Sequence, residues 1–203
     1  MSHLNRDSYD RIAERWNAHR VQLSSAEVRI LSMLVDKLAP DSTILDLGCG
    51  TGQPVATHLA ASGYRIIGVD QSPGMLEFAR NRLPTHQWIL AEIENFPFDA
   101  HCGAALAWDS LFHLPRERHE EIFVRLRGAL PLGGRLALTA GGSNHPPFTD
   151  SMFDHDFFYD SHPPAGTLEA LARAGFCVEH HEYLNIPDGA GDRGRIAVVA
   201  AAV

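Results

Sequence analysis

The sequence predicts a doubly wound α/β fold, in which a mostly parallel, seven-stranded sheet has helices on both faces. Short, continuous apolar runs alternate with amphipathic helical patterns between residues 43 and 139. This pattern is typical of strands that are buried on both sides and joined by crossover helices. A glycine-rich turn follows the first apolar run directly. Near the end of the chain two strand patterns are separated by a loop alone, which favours an antiparallel hairpin.

Two helical patterns precede the first strand, and we expect residues 1–40 to form an N-terminal helical lid. The first pattern carries an apolar stripe at helical spacing that includes Tyr9 and Trp16. The second begins at Ser24, and Glu27 completes the Ser-x-x-Glu spacing of a capping box.

The elements that follow are predicted from apolar runs, helical periodicity, prolines and glycines. Strands are expected at 43–47, 65–69, 87–90, 103–108, 135–139, 177–185 and 195–201, and helices at 54–62, 72–81, 122–130 and 165–174. The stretch 141–164 has no clear period and is rich in proline, histidine, aspartate and aromatic residues. It is predicted to be a long surface loop on the substrate side of a single domain, 1–203.

Hydropathy, net charge and cysteine spacing each argue against particular classes of protein. No apolar run approaches the length of a membrane span, and the first residues lack the apolar core of a signal peptide, so we expect a cytoplasmic protein without a membrane partner. The formal net charge of −8 disfavours a nucleic-acid partner. Three widely spaced cysteines indicate neither a disulfide framework nor a metal site. The oligomeric state is left open.

The strongest signal is the glycine-rich segment Ile-Leu-Asp-Leu-Gly-Cys-Gly-Thr-Gly at residues 44–52. Glycines directly after a buried strand let the backbone turn tightly and approach a nucleoside ligand closely. Asp70 closes the second strand, where a carboxylate can accept ribose hydroxyls. A dinucleotide site would require its third glycine at the position of Gln53. Asp46 precedes the glycines and favours a cationic ligand over a pyrophosphate.

These motifs resemble those of the class I, Rossmann-like methyltransferases that use S-adenosylmethionine, of the small-molecule type. The blocks 9–13, 68–76, 91–98, 107–114 and 130–136 are similar to further family segments in the same order. The resemblance implies S-adenosylmethionine as cofactor and S-adenosylhomocysteine as product. It implies contacts to the cofactor from Tyr9, Asp46, Gly48, Cys49, Gly50, Gly52, Gln53, Asp70, Gln71, Met75, Glu92, Ile93, Trp108 and Asp109.

Individual assignments leave alternatives open. The resemblance places Glu92 at the adenine amino group, where the family has Asp, and the Ile93 amide at the ring. Asp46 could instead orient the loop backbone, and Tyr9 could serve core packing only. His113 is the best candidate for a general base, because it follows the fourth strand at the expected cofactor edge. It could equally cap the next helix or touch the cofactor.

The predicted function is methyl transfer to an oxygen or nitrogen of a small molecule by in-line displacement. Rival hypotheses are a non-catalytic S-adenosylmethionine-binding module, a nicotinamide-dependent oxidoreductase and a nucleic-acid methyltransferase. The motif His-Pro-Pro-Phe at 145–148 follows the fifth strand rather than the fourth, so its likeness to the signature of amino-group methyltransferases is treated as coincidence. The aspartates and histidines between residues 150 and 162 are interpreted as a solvated or substrate-covering loop rather than a metal site. The sequence does not identify the acceptor.

Overall fold

A computed structural model describes residues 2–99, 101–188 and 191–203, with side chains described from residue 4 onward. The helices are α1 (Ser2–His19), α2 (Ser25–Val35), α3 (Val55–Ala61), α4 (Pro73–Arg82), α5 (His119–Ala129) and α6 (Pro164–Arg173). The strands are β1 (Thr43–Leu47), β2 (Arg65–Asp70), β3 (Gln87–Leu90), β4 (Ala104–Ala107), β5 (Arg135–Gly141), β6 (Phe148–Met152), β7 (His155–Tyr159), β8 (Phe176–Asn185) and β9 (Arg195–Ala202). No helix in these described ranges is long and apolar enough to cross a membrane.

Seven strands form one sheet in the order β3-β2-β1-β4-β5-β9-β8. The first five in this order pair in parallel, and β9 runs antiparallel to both of its neighbours. The predicted fold and its terminal hairpin are therefore confirmed. The strand order reverses between β1 and β4, and in open α/β sheets ligands bind at such a switch point, beyond the carboxyl ends of the strands.

Helices cover both faces of the sheet because its central strands are apolar on both sides. One core cluster contains apolar residues of α5 and α6, and the other contains those of α2 and α3. All four residues of β4 are buried, as expected for a central parallel strand. This packing fixes the carboxyl ends of β1, β2 and β4 in a rigid frame.

Side-chain caps begin two of the helices, as their sequences suggest. Ser24 Oγ accepts a hydrogen bond from the Glu27 amide, and the Glu27 carboxylate accepts one from the Ser24 amide, so the predicted capping box is confirmed. Ser72 caps α4 through the Met75 amide, directly after the end of β2. The Ser72 cap therefore places the N-terminus of α4 at the carboxyl edge of the sheet.

The predicted surface loop at 141–164 is wrong in part, because it contains the antiparallel pair β6 and β7. Phe157 of β7 is fully buried against α1, in a small cluster with Ile12, Ala13 and Met75. Adjacent Phe157 and Phe158 are both buried, so the strand lacks the alternation that a half-buried strand shows. Helix α1 and this hairpin together form a cover over the carboxyl edge of the sheet, which we call the lid.

Candidate cofactor and acceptor cavity

A cavity opens beyond the carboxyl ends of β1, β2 and β4, under the lid. It is lined by thirteen of the fifteen residues that the sequence singled out, from Tyr9 on α1 to His113 after β4. The thirteen are Tyr9, Asp46, Gly48, Cys49, Gly50, Gln53, Asp70, Gln71, Met75, Ile93, Trp108, Asp109 and His113. Gly52 and Glu92 are not among the lining residues. The sequence motifs therefore converge on one place in the fold.

The glycine loop needs its glycines for backbone conformation and for space. Gly48, Gly50 and Gly52 all have positive φ values, 76°, 56° and 76°, a region that L-residues with a side chain rarely adopt. A Cβ on Gly48 would stand 2.3 Å from the Cβ of Ser110. Gly52 serves packing behind the loop, since a Cβ there would stand 3.3 Å from Trp88. The loop is thus free of side chains where it faces the cavity at Gly48 and Gly50.

The Asp70 carboxylate holds the glycine loop in place and can still accept further hydrogen bonds. Its Oδ2 accepts a hydrogen bond from the Gly50 amide at 2.8 Å, and its Oδ1 accepts one from the Ser72 amide at 2.9 Å. Each carboxylate oxygen has two lone pairs, so further donors such as ribose hydroxyls can be accommodated. Burial raises the pKa of Asp70, while these amide hydrogen bonds lower it.

Asp46 carries a buried carboxyl that lines the cavity. Its exposed fraction is 2%, and no hydrogen bond to its side chain is found within the described residues. Burial, assisted by the negative charge of Asp70, raises the pKa of Asp46 to about 7. A buried carboxylate without a partner is costly, so this site fits a ligand that brings a positive charge.

The segment after β3 presents backbone and carboxylate groups at the far end of the cavity. Ala91, Ile93 and Glu94 line the cavity, whereas Glu92 borders an adjacent groove and accepts a hydrogen bond from Asn95 at 2.7 Å. Burial raises the pKa of Glu94, and the nearby Glu92 adds to that shift. Two carboxylates therefore flank the expected adenine position, and only Glu92 was singled out by the sequence.

Tyr9 and His113 form a hydrogen-bonded pair on the cavity wall. The Tyr9 hydroxyl lies 2.7 Å from His113 Nε2, and His113 Nδ1 lies 2.9 Å from the Phe158 carbonyl oxygen. A carbonyl only accepts, so Nδ1 carries the proton and Nε2 accepts the Tyr9 hydroxyl hydrogen. Burial lowers the pKa of His113 to about 4 and raises that of Tyr9 well above 10. The imidazole is therefore neutral at pH 7.

The end of β4 is held by a polar network. Asp109 has a positive φ of 51°, its amide donates to Thr139 Oγ1 at 2.7 Å, and the Thr139 hydroxyl donates back to Oδ1 at 3.0 Å. Trp108 Nε1 donates to Glu27 Oε1 at 3.2 Å. The Glu27 carboxylate, which the sequence marked only as a helix cap, thus also fixes a cavity-lining indole.

Several cavity residues were missed by the sequence reasoning. They are Trp16, Arg20, Pro54, Val55, Ala91, Glu94, Ser110 and Leu114. Trp16 was noted as part of an apolar stripe, but core packing explains a stripe equally well. Arg20 follows α1 and carries no motif, so no local signal marks it. Ser110 could have been suspected, because it directly follows two residues that were assigned to the site.

Within the described ranges, no group of three or more histidine, cysteine, aspartate or glutamate side chains is placed to hold a metal ion. His145 is buried and contacts Phe148 edge-on, in a cleft beside the main cavity.

Comparison with known families identifies the central segment. Residues 44–134 match a family model described as a methyltransferase domain. A trans-aconitate 2-methyltransferase from Paracidovorax citrulli is 34% identical over 125 residues, which cover 57% of this chain and 45% of the relative. A trans-aconitate 2-methyltransferase from Escherichia coli O1:K1 is 40% identical over 92 residues, covering 44% of this chain and 36% of the relative. The chain thus spans under half the length of these two curated relatives.

Solved structures match nearly the whole chain in fold. Magnesium protoporphyrin IX methyltransferase from Synechocystis PCC 6803, crystallised with S-adenosylmethionine, superposes with a TM-score of 0.73 at 17% identity. That match covers 98% of this chain and 95% of the other. A methyltransferase from Streptomyces caelestis matches with a TM-score of 0.72 at 19% identity, covering 97% and 98% of the two chains. The matched domain and the shared fold confirm the resemblance to the class I, Rossmann-like S-adenosylmethionine-dependent methyltransferases, in sequence over residues 44–134 and in fold over nearly the whole chain.

Proposed function

We propose that this protein transfers a methyl group from S-adenosylmethionine to a small-molecule acceptor. The observation that carries the proposal is the unpaired, buried Asp46 beside a glycine loop that carries no side chain at Gly48 and Gly50 and is tied to Asp70. This combination suits a nucleoside that carries positive charge. When bound, S-adenosylmethionine supplies a methyl group that is already activated by the sulfonium.

The residues present fit each part of the cofactor. Asp70 would accept the ribose hydroxyls, and Asp46 would face the positively charged methionine portion. The Ile93 amide would meet the adenine ring, while Glu92 or Glu94 would accept its amino group. The loop glycines Gly48 and Gly50, with Cys49 and Gln53, would surround the methionine chain. The cavity-lining residues Gln71, Met75, Trp108 and Asp109 would complete the enclosure.

The lid and the end of β4 would align the acceptor with the methyl group and exclude water. In-line displacement at an activated methyl depends mainly on this alignment and on a dry site. Relatives that match about half of the chain are trans-aconitate 2-methyltransferases. Trans-aconitate is therefore the first acceptor to assay, followed by other small molecules.

Calorimetric titration with S-adenosylhomocysteine tests the cofactor assignment, with NADH as a parallel ligand. We expect stoichiometric binding of S-adenosylhomocysteine and none of NADH. In the Asp70→Asn variant we expect at least ~10-fold weaker binding, because hydrogen bonds to a charged group contribute about 1.5–3 kcal/mol. Asp41→Asn, at an exposed turn position, is the matched control and should bind as the wild type does.

Binding of NADH instead, or equal affinity of the two aspartate variants, would contradict the proposal. Binding of S-adenosylhomocysteine without turnover of any acceptor in a broad panel would indicate a non-catalytic binding module.

A further inference from the structure

The end of the cavity next to the lid and the end of β4 is called the acceptor end. Two arginines converge there on one buried carboxylate oxygen. Arg20, which follows α1, places Nη2 2.5 Å from Glu27 Oε1. Arg195, the first residue of β9, places Nη2 3.9 Å from the same oxygen. Arg20 lines the main cavity, and Arg195 lines the cleft next to it. The two guanidinium groups come from opposite ends of the chain and meet beside Trp108, whose indole shares that oxygen.

These arginines keep donors available for a ligand. Arg195 Nη1 donates to Asp109 Oδ2 at 2.5 Å, and Arg20 Nη1 donates to the Gln22 carbonyl at 2.7 Å. A guanidinium has more N–H groups than these contacts use, and its planar fork suits a carboxylate. Glu27 and Asp109 balance the two positive charges, so the pair can stay partly buried without an acceptor.

The proton acceptors at this end of the cavity are already engaged. His113 Nε2 accepts a hydrogen bond from the Tyr9 hydroxyl, and Nδ1–H donates one to the Phe158 carbonyl oxygen. The Asp109 oxygens accept from Thr139 and Arg195. Those of Glu27 accept from Ser24, Arg20 and Trp108. Among the described residues at this end, these hydrogen bonds leave no carboxylate or imidazole without a donor. A nucleophile that arrives already ionised would need none of them.

We propose that the acceptor is a carboxylate of a small organic acid, held between Arg20 and Arg195, and that its own oxygen takes the methyl group without prior loss of a proton. The inference rests on the proposed function. One carboxylate oxygen forms the new bond to the methyl carbon as the bond from that carbon to sulfur breaks. The electron pair of the broken bond stays on sulfur, which becomes a neutral thioether. The other product is a methyl ester, and no proton is transferred.

Loss of charge on the acceptor has a consequence for release. The ester group no longer attracts the guanidinium groups as the carboxylate did, so the arginines favour acid over ester. Charge-assisted hydrogen bonds are roughly twice as strong as neutral ones, which gives the site a preference for substrate over product.

The test uses the full chain loaded with S-adenosylhomocysteine, with trans-aconitate as the probe and its uncharged triamide as the comparison ligand. We expect calorimetry to show binding of trans-aconitate and at least ~10-fold weaker binding of the triamide. Arg195→Gln and Arg20→Gln should each weaken trans-aconitate binding about 10-fold or more, and Arg195→Lys should restore part of it. Arg29→Gln is the control, because Arg29 forms an exposed ion pair with Glu182.

A second readout identifies the bond that is formed. With a labelled methyl donor, a carboxylate acceptor gives a methyl ester that releases labelled methanol in alkali, whereas ethers and methylated amines do not.

The proposal is overturned if the Arg195 and Arg20 variants bind trans-aconitate as the Arg29 variant does, or if the triamide binds equally well. Citrate is titrated as a second tricarboxylate probe, and the proposal is also overturned if neither trans-aconitate nor citrate binds to the loaded protein, or if the methylated product is stable to alkali. In each of these cases retained affinity for S-adenosylhomocysteine leaves the proposed function standing, whereas loss of that affinity in the wild type would remove both.

Discussion

The Tyr9 hydroxyl donates a hydrogen bond to His113 Nε2 on the cavity wall. Sequence position alone nominated His113 as a general base, and that role stays a prediction. The geometry adds that Nε2 already accepts the Tyr9 hydroxyl hydrogen, at 2.7 Å. A second role follows from the same contact, since His113 can hold the Tyr9 side chain in place. The two roles differ in the size of the effect that a substitution should have.

The His113→Gln variant separates the two roles. If His113 positions Tyr9, kcat should fall by roughly 10-fold or less, in line with the loss of one hydrogen bond. Its pH profile should keep the wild-type shape between about pH 6 and pH 9. A general base contributes about 10²–10⁴-fold, so a loss of that size, together with a changed pH profile, would support the base instead. Retained affinity for S-adenosylhomocysteine is the check that the variant folds.

At the scale of elements, the helices and strands that could be predicted from the sequence are those with a local signal. The sheet strands, the capping box of α2 and the Ser72 start of α4 all follow from runs, spacings and caps a few residues long. The hairpin of β6 and β7 was missed because its burial comes from α1 rather than from the sheet. Its strands have mixed exposure, and only Phe157 and Phe158 are buried. Periodicity cannot reveal a contact with an element more than a hundred residues away.

Asn5 joins the two parts of the lid. Its exposed fraction is 3%, its Nδ2 donates to the carbonyls of Phe158 at 3.0 Å and His113 at 3.1 Å, and its Oδ1 accepts from the Phe158 amide at 2.7 Å. A buried backbone group left without a partner costs about 1–3 kcal/mol. Asn5 therefore couples α1 to β7 and to the turn after β4.

The Asn5→Ala variant should lower the free energy of unfolding by about 2 kcal/mol or more, because it leaves the Phe158 amide without its side-chain partner. The affinity for S-adenosylhomocysteine should also fall, since the lid carries Tyr9 and Trp16. Chemical denaturation and calorimetry measure the two quantities. Asn81→Ala, at an exposed position on α4, is the matched control. Equal behaviour of the two variants would contradict the coupling.

At the scale of the whole molecule, the arginine network was beyond sequence reasoning. Arg20, Glu27, Asp109 and Arg195 lie at the ends of four different elements, and each side chain has an ordinary explanation in its own segment. Only the strand order, which puts β9 beside β5 and near β4, brings them together. The glycine loop was predictable because its residues are contiguous, whereas the acceptor end is assembled from distant segments.

Asp46 links the stability of the protein to pH. Its pKa is raised in the folded chain from 3.8 to about 7, so its contribution to stability is fully present below about pH 4 and is lost as pH rises through about 7. The Asp46→Asn variant, which carries no charge to bury, should therefore melt at a higher temperature than the ligand-free wild type at pH 8. A cationic ligand offsets the charge of Asp46 in the wild type.

The same variant should bind S-adenosylmethionine more weakly, and its affinity should lose the rise between about pH 6 and pH 8 that ionisation of Asp46 gives the wild type. Differential scanning fluorimetry and calorimetry across this range make the comparison, with Asp41→Asn as control. A wild-type affinity that does not change with pH would contradict the assignment of Asp46.

The placement of the indoles around the glycine loop has an optical consequence. The chain has three tryptophans, and Trp16 and Trp108 line the cavity, while the ring of Trp88 packs against Gly52 and Gly68 behind the loop. Each intrinsic fluorophore of this type thus lies on or directly behind the cavity wall. Emission from the unlabelled protein therefore reports on the cavity, so ligand binding and release can be followed in real time in a stopped-flow instrument.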